Sequence, residues 1–149
     1  MAGEVRLEAA TVGDVAAVAA LFAQSRAASL PFLPVLHAAE EDRAFFGACL
    51  AGGRMTLARQ GTTLAGFMVE GEGWVELLYL GPDHLRQGIG GRLLGAAQAR
   101  QDELQLWCFA RNAAAIAFYR RYDFIEQRRT DGDNEAGLPD ILFRWQRDR

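Results

Sequence analysis

Apolar and polar residues alternate from Glu4 to Ala9 (EVRLEA), which predicts a first strand. From Val15 the period lengthens. Val15, Val18, Ala19, Leu21 and Phe22 form a helical stripe ending near Arg26. Thr11 stands as the N-cap of that helix, and Asp14, three residues on, as its capping-box partner. The stripe stops at Ser29-Leu30-Pro31-Phe32-Leu33-Pro34, a loop or broken turn whose apolar residues need cover. Ala39 to Leu50 reads as a second helix with acids in its first turn, ended by Gly52-Gly53. Arg54 to Arg59 and Thr63 to Glu70 read as strands joined at Gln60-Gly61-Thr62, and Glu70-Gly71-Glu72-Gly73 turns the chain into a strand from Trp74 to Leu80. Three successive strands on short turns predict an antiparallel meander. A helix from Gly90 to Arg100, a strand from Leu104 to Phe109 and a helix from Asn112 to Arg121 follow. Strands at Phe124 to Arg128 and Ile141 to Trp145 close the chain, with the polar linker Thr130 to Pro139 between them. The order βααβββαβαββ is that of a mixed α/β domain, one domain over residues 1–149.

The junction after the meander carries the chemistry. Residues 75–94 run VELLYLGPDHLRQGIGGRLL: a strand, a polar turn, Gln87-Gly88-Ile89-Gly90-Gly91, and then a helix. Such a helix start leaves backbone N–H groups unpaired beside the positive end of the helix dipole, so it suits a phosphate or pyrophosphate. Glycine lets the anion approach the backbone. Two phosphate-binding patterns do not fit. A nucleotide P-loop needs Gly-Lys-Ser/Thr, but Arg92 and Leu93 follow Gly91. A dinucleotide fingerprint needs a third glycine where Leu93 stands, and an acid at the next strand end, which reads Trp107-Cys108-Phe109. A tight turn that binds nothing remains the plain alternative.

Composition narrows the field. The chain has 149 residues, is half apolar and has a net charge of −3, so it lacks the basic footprint of a nucleic-acid binder. Cys49 and Cys108 form neither a CxxC nor a metal-like cluster, and no metal is expected. Two thiols without such a pattern point to a reducing cytoplasm. No run is long and apolar enough for a membrane span, and the start MAGEVRLEAA lacks a signal-peptide layout.

Leu80-Gly81-Pro82-Asp83-His84-Leu85-Arg86-Gln87-Gly88-Ile89-Gly90 resembles the V-x-P-x-x-(Q/R)-x-x-G-x-(G/A) signature of the GNAT N-acetyltransferase superfamily, with Leu85 at the Gln/Arg position. Asn112-Ala113-Ala114-Ala115-Ile116-Ala117-Phe118-Tyr119, then Tyr122-Asp123-Phe124, is similar to that family's N-x-x-A-x-x-x-Y…G-F segment. Asp123 replaces a glycine there, and Asp tolerates a positive φ better than most residues. The resemblance extends over nearly the whole chain. It implies a mostly antiparallel central sheet flanked by helices, with strands that splay at the cofactor site.

The resemblance further implies acetyl-CoA as co-substrate. Its pantetheine arm would lie on the backbone of Leu78, Tyr79 and Leu80. Its pyrophosphate would rest on the N–H groups of Arg86, Gln87, Gly88, Ile89, Gly90 and Gly91. Asn112 would contact the cofactor, although a helix cap alone explains an Asn there. The implied chemistry is direct attack of an amine on the thioester, with the N–H of Leu80 as an oxyanion donor. Tyr119 would protonate the leaving thiolate, or else be a core aromatic. Glu76, read as partly buried on the strand face of Leu78 and Leu80, is either the general base or a polar strand-end residue. His37 and His84 are the other base candidates.

The favoured acceptor is a small-molecule primary amine, the loop from Pro31 to Leu36 acting as a lid. Acetylation of a protein N-terminus or lysine, or a non-catalytic acyl-CoA sensor, are the alternatives. Asn134, Glu135 and Asp140 would bind a cationic acceptor or merely order their loop. Neither nucleic acid nor membrane is expected as a partner, and a homodimer through the last strands is a further expectation from the resemblance.

Overall fold

The computed structural model describes residues 4–31 and 39–148. Phe32 to Leu36 and His37, expected to be part of a lid and a candidate base, lie outside the described residues. Thr11 and Asp14 meet as expected: the Asp14 carboxylate accepts from the Thr11 N–H at 2.8 Å and from its hydroxyl at 3.0 Å. They open a single 3-10 turn, Val12–Asp14, that feeds directly into α1 (Val15–Ser29). α2 (Ala39–Ala51) carries Glu40, Glu41 and Asp42 in its first turn, where the helix dipole favours negative charge.

The strands are β1 (Val5–Ala9), β2 (Met55–Gln60), β3 (Thr63–Gly71), β4 (Trp74–Leu80), β5 (Glu103–Phe109), β6 (Ile125–Thr130) and β7 (Asp140–Gln146). They form one seven-stranded sheet in the order β1-β2-β3-β4-β5-β7-β6. Every neighbouring pair is antiparallel except β4 and β5, which are parallel. The remaining helices are α3 (Ile89–Arg100) and α4 (Ala113–Arg121). The element order and the mixed, mostly antiparallel sheet agree with the sequence reading. β6 runs two residues beyond its expected end, to Thr130. It is an edge strand that pairs only with β7, and its polar residues give no apolar rhythm to read.

Two apolar layers cover the sheet. On one face Ile89, Leu93, Leu94 and Ala97 of α3, spaced as one helical stripe, pack on Met68, Val75, Leu104 and Leu106. On the other face Val18, Leu21 and Phe22 of α1 and Phe46 of α2 pack on Leu57, Phe67 and Val69. Phe22, Phe46, Phe67 and Tyr79 form a chain of ring contacts with centroids 5.0 to 5.9 Å apart.

β4 and β5 have a single paired position, Trp74 with Gln105. β5 then turns to β7, with which it pairs over its whole length, and leaves the β5-facing edge of β4 open from Val75 onward. The gap lies between two strands, so its backbone groups must be satisfied by water or by a ligand.

Candidate active site

The turn after β4 sets up the helix start. Pro82–His84 is one 3-10 turn, and Gly88, at φ +78, is the N-cap of α3. An L side chain at that φ would be strained. The first intrahelical bond of α3 runs from the Arg92 N–H to the Gly88 carbonyl at 3.1 Å. The N–H groups of Ile89, Gly90 and Gly91 precede it and have no intrahelical acceptor. Gly91 has no space for a Cβ, which would run into the Tyr122 hydroxyl.

These groups open into a cavity of about 780 Å³. Leu78, Tyr79 and Leu80 of β4 line one side, Gly88, Gly90 and Gly91 another, and Asn112 and Tyr119 the wall from α4. The open edge of β4, the helix N-terminus and the α4 tyrosine thus face one space. Arg86, at φ +63, lines its rim. Two expected cofactor residues contribute no side chain. Ile89 is buried in the core, and Gln87 turns its amide back to the Asp83 carbonyl at 3.3 Å. Their backbones are the only groups they can offer.

Asn112 caps its helix and also borders the cavity. Its side chain accepts from the Ala115 N–H at 3.2 Å, at the start of α4. Asp123, at φ +70, ends α4 in the left-handed conformation that a glycine usually takes. Tyr119 packs against Phe118, Phe124 and Phe143, with centroids 5.2 to 6.3 Å away. Burial, with Cys108 and Tyr79 nearby, raises the pKa of its phenol above the ordinary tyrosine range, so the hydroxyl keeps its proton. Burial also raises the Tyr79 phenol, opposed by the charge of Arg26. Cys108, buried in β5 and exposed to the charge of Asp140, is pushed up to about 12 and stays a thiol.

Glu76 is placed differently from its sequence reading. The β3–β4 register shifts there, with Val69 opposite Leu77 and Glu70 opposite Val75, so Glu76 is the extra residue of a β-bulge. It is exposed, not partly buried, and does not share a face with Leu78 and Leu80. It lies toward α2, where its charge helps raise the Cys49 thiol, second to burial. The simple two-residue alternation fails because the bulge inserts one residue. His84 is half-buried in the 3-10 turn and does not line the cavity. Asn134 and Asp140 order their own loop. Asn134 donates to the Leu138 carbonyl at 2.6 Å, and the Thr130 hydroxyl donates to Asp140.

Several lining residues are absent from the sequence-based expectations. Phe118 of α4 and Tyr122, the residue after its last, stand four apart, and that spacing next to Tyr119 is a usable signal. Ser25 and Leu30, which reach the cavity from α1 and its end, give no local signal because only the tertiary fold brings them there.

Residues 36–126 match the model of the acetyltransferase (GNAT) domain family. A probable N-acetyltransferase of Mycobacterium tuberculosis is 38% identical over 58 residues, which are 38% of this chain and 33% of that protein. The match therefore spans about a third of the curated relative's length. Among solved structures, a GCN5-related N-acetyltransferase from Rhodopseudomonas palustris superposes with a TM-score of 0.80 at 22% identity, over 98% of each chain. YncA of Salmonella typhimurium, solved with its cofactor acetyl-CoA, gives 0.75 at 17% identity, over 99% of this chain and 96% of the other. At these identities the likeness is one of fold.

Proposed function

Because this chain belongs to the GNAT acetyltransferase family, we propose that it transfers the acetyl group of acetyl-CoA to an amine, in first place a primary amine of a small molecule. One observation carries the reading. A single cavity joins the free N–H groups at the start of α3, the open edge of β4 and the Tyr119 phenol. A diphosphate, an extended amide-bearing arm and a thioester follow one another in the same order along acetyl-CoA. The N–H groups of α3 would hold the diphosphate. The backbone of Leu78 to Leu80 would pair with the arm as a strand does.

Transfer begins when the neutral amine attacks the thioester carbon. A backbone N–H on the open edge of β4, that of Leu80 foremost, would stabilise the oxyanion. The C–S bond then breaks and the electron pair leaves on sulfur. Tyr119, neutral at working pH, would protonate the sulfur as the C–S bond breaks, and its phenolate would recover a proton from solvent. The ammonium formed on the acceptor loses its proton to water or to a base on the opposite face of the sheet. Glu76, exposed on the α2 side of β4, is the carboxylate we assign to that proton path.

The reading is tested by following release of the CoA thiol from acetyl-CoA with a panel of small primary amines and, beside it, short peptides with free N-termini or lysines. Turnover with small amines supports the proposal. Turnover with peptides alone would replace the acceptor class. Binding of acetyl-CoA without turnover on any acceptor would favour a sensor.

A further inference from the structure

The cavity lining among the described residues contains two charged side chains, Arg86 and Arg121, and no carboxylate. Both are exposed, so they sit where the cavity opens. In a chain of net charge −3 most described arginines are engaged: Arg59 with Glu8 and Asp14, Arg100 with Glu70, Arg120 and Arg129 with Glu126, Arg144 with Glu103, Arg147 with Asp102. Among the described residues no carboxylate pairs with Arg86 or Arg121. Arg86 also stands at φ +63, a conformation that glycine adopts freely and arginine only at a cost. Arg121 belongs to the last turn of α4 and Arg86 to the turn before α3, so the two arginines reach the cavity from different elements.

We propose that Arg86 and Arg121 form a second anion subsite that takes the phosphate monoester on the ribose of coenzyme A, outside the N–H cradle that takes the diphosphate. This rests on the reading of the cavity as a coenzyme A site and adds a specificity to it. A monoester carries about −1.5 to −2 charges at neutral pH and matches the fork of a guanidinium. The subsite therefore selects coenzyme A over its form lacking that phosphate.

The test is calorimetric titration of coenzyme A and 3′-dephospho-coenzyme A into the wild type, Arg121→Gln, Arg86→Gly and the double variant. Glycine at 86 suits the observed φ, so that change removes the side chain and keeps the turn. The wild type is expected to bind coenzyme A about tenfold more tightly than the dephospho form, as two exposed charge-assisted contacts allow. Each single variant should narrow that ratio and the double variant should abolish it, with affinity for the dephospho form falling less than that for coenzyme A. Equal binding of both ligands by the wild type, or an unchanged ratio in the double variant, would overturn the subsite and leave the coenzyme A reading standing. Failure of the wild type to bind either ligand would overturn both.

Discussion

Tyr119 is held in its neutral form by burial and by Cys108 and Tyr79, and it faces the space where the thioester would lie. Tyr119→Phe keeps the ring and loses the proton. We expect kcat to fall by about 10²-fold or more, within the usual range for a positioned acid, with the dissociation constant of acetyl-CoA unchanged in a direct titration. Asn112 borders the cavity and caps a helix, so its removal should show twice. Asn112→Ala should lower stability by about 1 kcal/mol through the lost cap on Ala115, read in a urea melt, and also weaken acetyl-CoA binding. Both residues are legible in the amino-acid sequence because they stand at matching positions of a motif. Glu76 is legible as a residue type but not as a position. A strand pattern has period two, and nothing in the letters around Glu76 announces a bulge.

At the scale of elements, α3 must be held still for its N-terminus to present an anion site. Its C-terminal end is tied to β3 by the buried carboxylate of Glu70, which accepts from the Arg100 guanidinium, with one contact at 2.9 Å, and from Gln101 at 3.3 Å. Glu70→Ala should cost about 1.5–3 kcal/mol in a denaturant melt, the range for hydrogen bonds to a charged group. At the other end Gly91 and Tyr122 share one space. Gly91→Ala should displace the Tyr122 ring, with an overpacking cost of about 1–3 kcal/mol and weaker acetyl-CoA binding. Adding Tyr122→Phe removes the nearest of the atoms that the new Cβ meets, leaving the ring carbon at 2.7 Å, and should restore part of both, read by melts and titrations of the pair. The glycine turn and its helix can be read from the sequence. The Gly91–Tyr122 pairing cannot, since it joins the start of α3 to the end of α4 across the fold.

Across the whole molecule, the sheet divides two kinds of surface. One face, with α3 and α4, carries most of the cavity, to which Ser25 and Leu30 add from α1 and its end; the other, with α1 and α2, carries Glu76. The opening between β4 and β5 connects them, which would let cofactor and acceptor meet from opposite sides. The strand order that creates this opening, with β7 inserted between β5 and β6, cannot be read from local periodicity because it is set by long-range pairing. Stability of the assembled fold should also respond to acid. Hydrogen bonds from Thr11, with the Arg59 guanidinium nearby, hold Asp14 below the ordinary aspartate range. A carboxylate depressed on folding stabilises above its unfolded value, and that contribution disappears as the pH falls through its folded value. Thermal melts should therefore show Asp14→Asn losing its deficit relative to the wild type as the pH is lowered through and below the ordinary aspartate range. Whether the cavity takes acetyl-CoA, on which all the proposed chemistry depends, is decided by melting the wild-type protein with acetyl-CoA, CoA, NAD and ATP. A ligand at about 100 times its dissociation constant stabilises by about 2.7 kcal/mol, which for this chain length is a shift of roughly 5–10 °C. That shift is expected with acetyl-CoA and CoA, and none with NAD or ATP. No shift with either CoA compound at millimolar concentration would refute the proposed cofactor site.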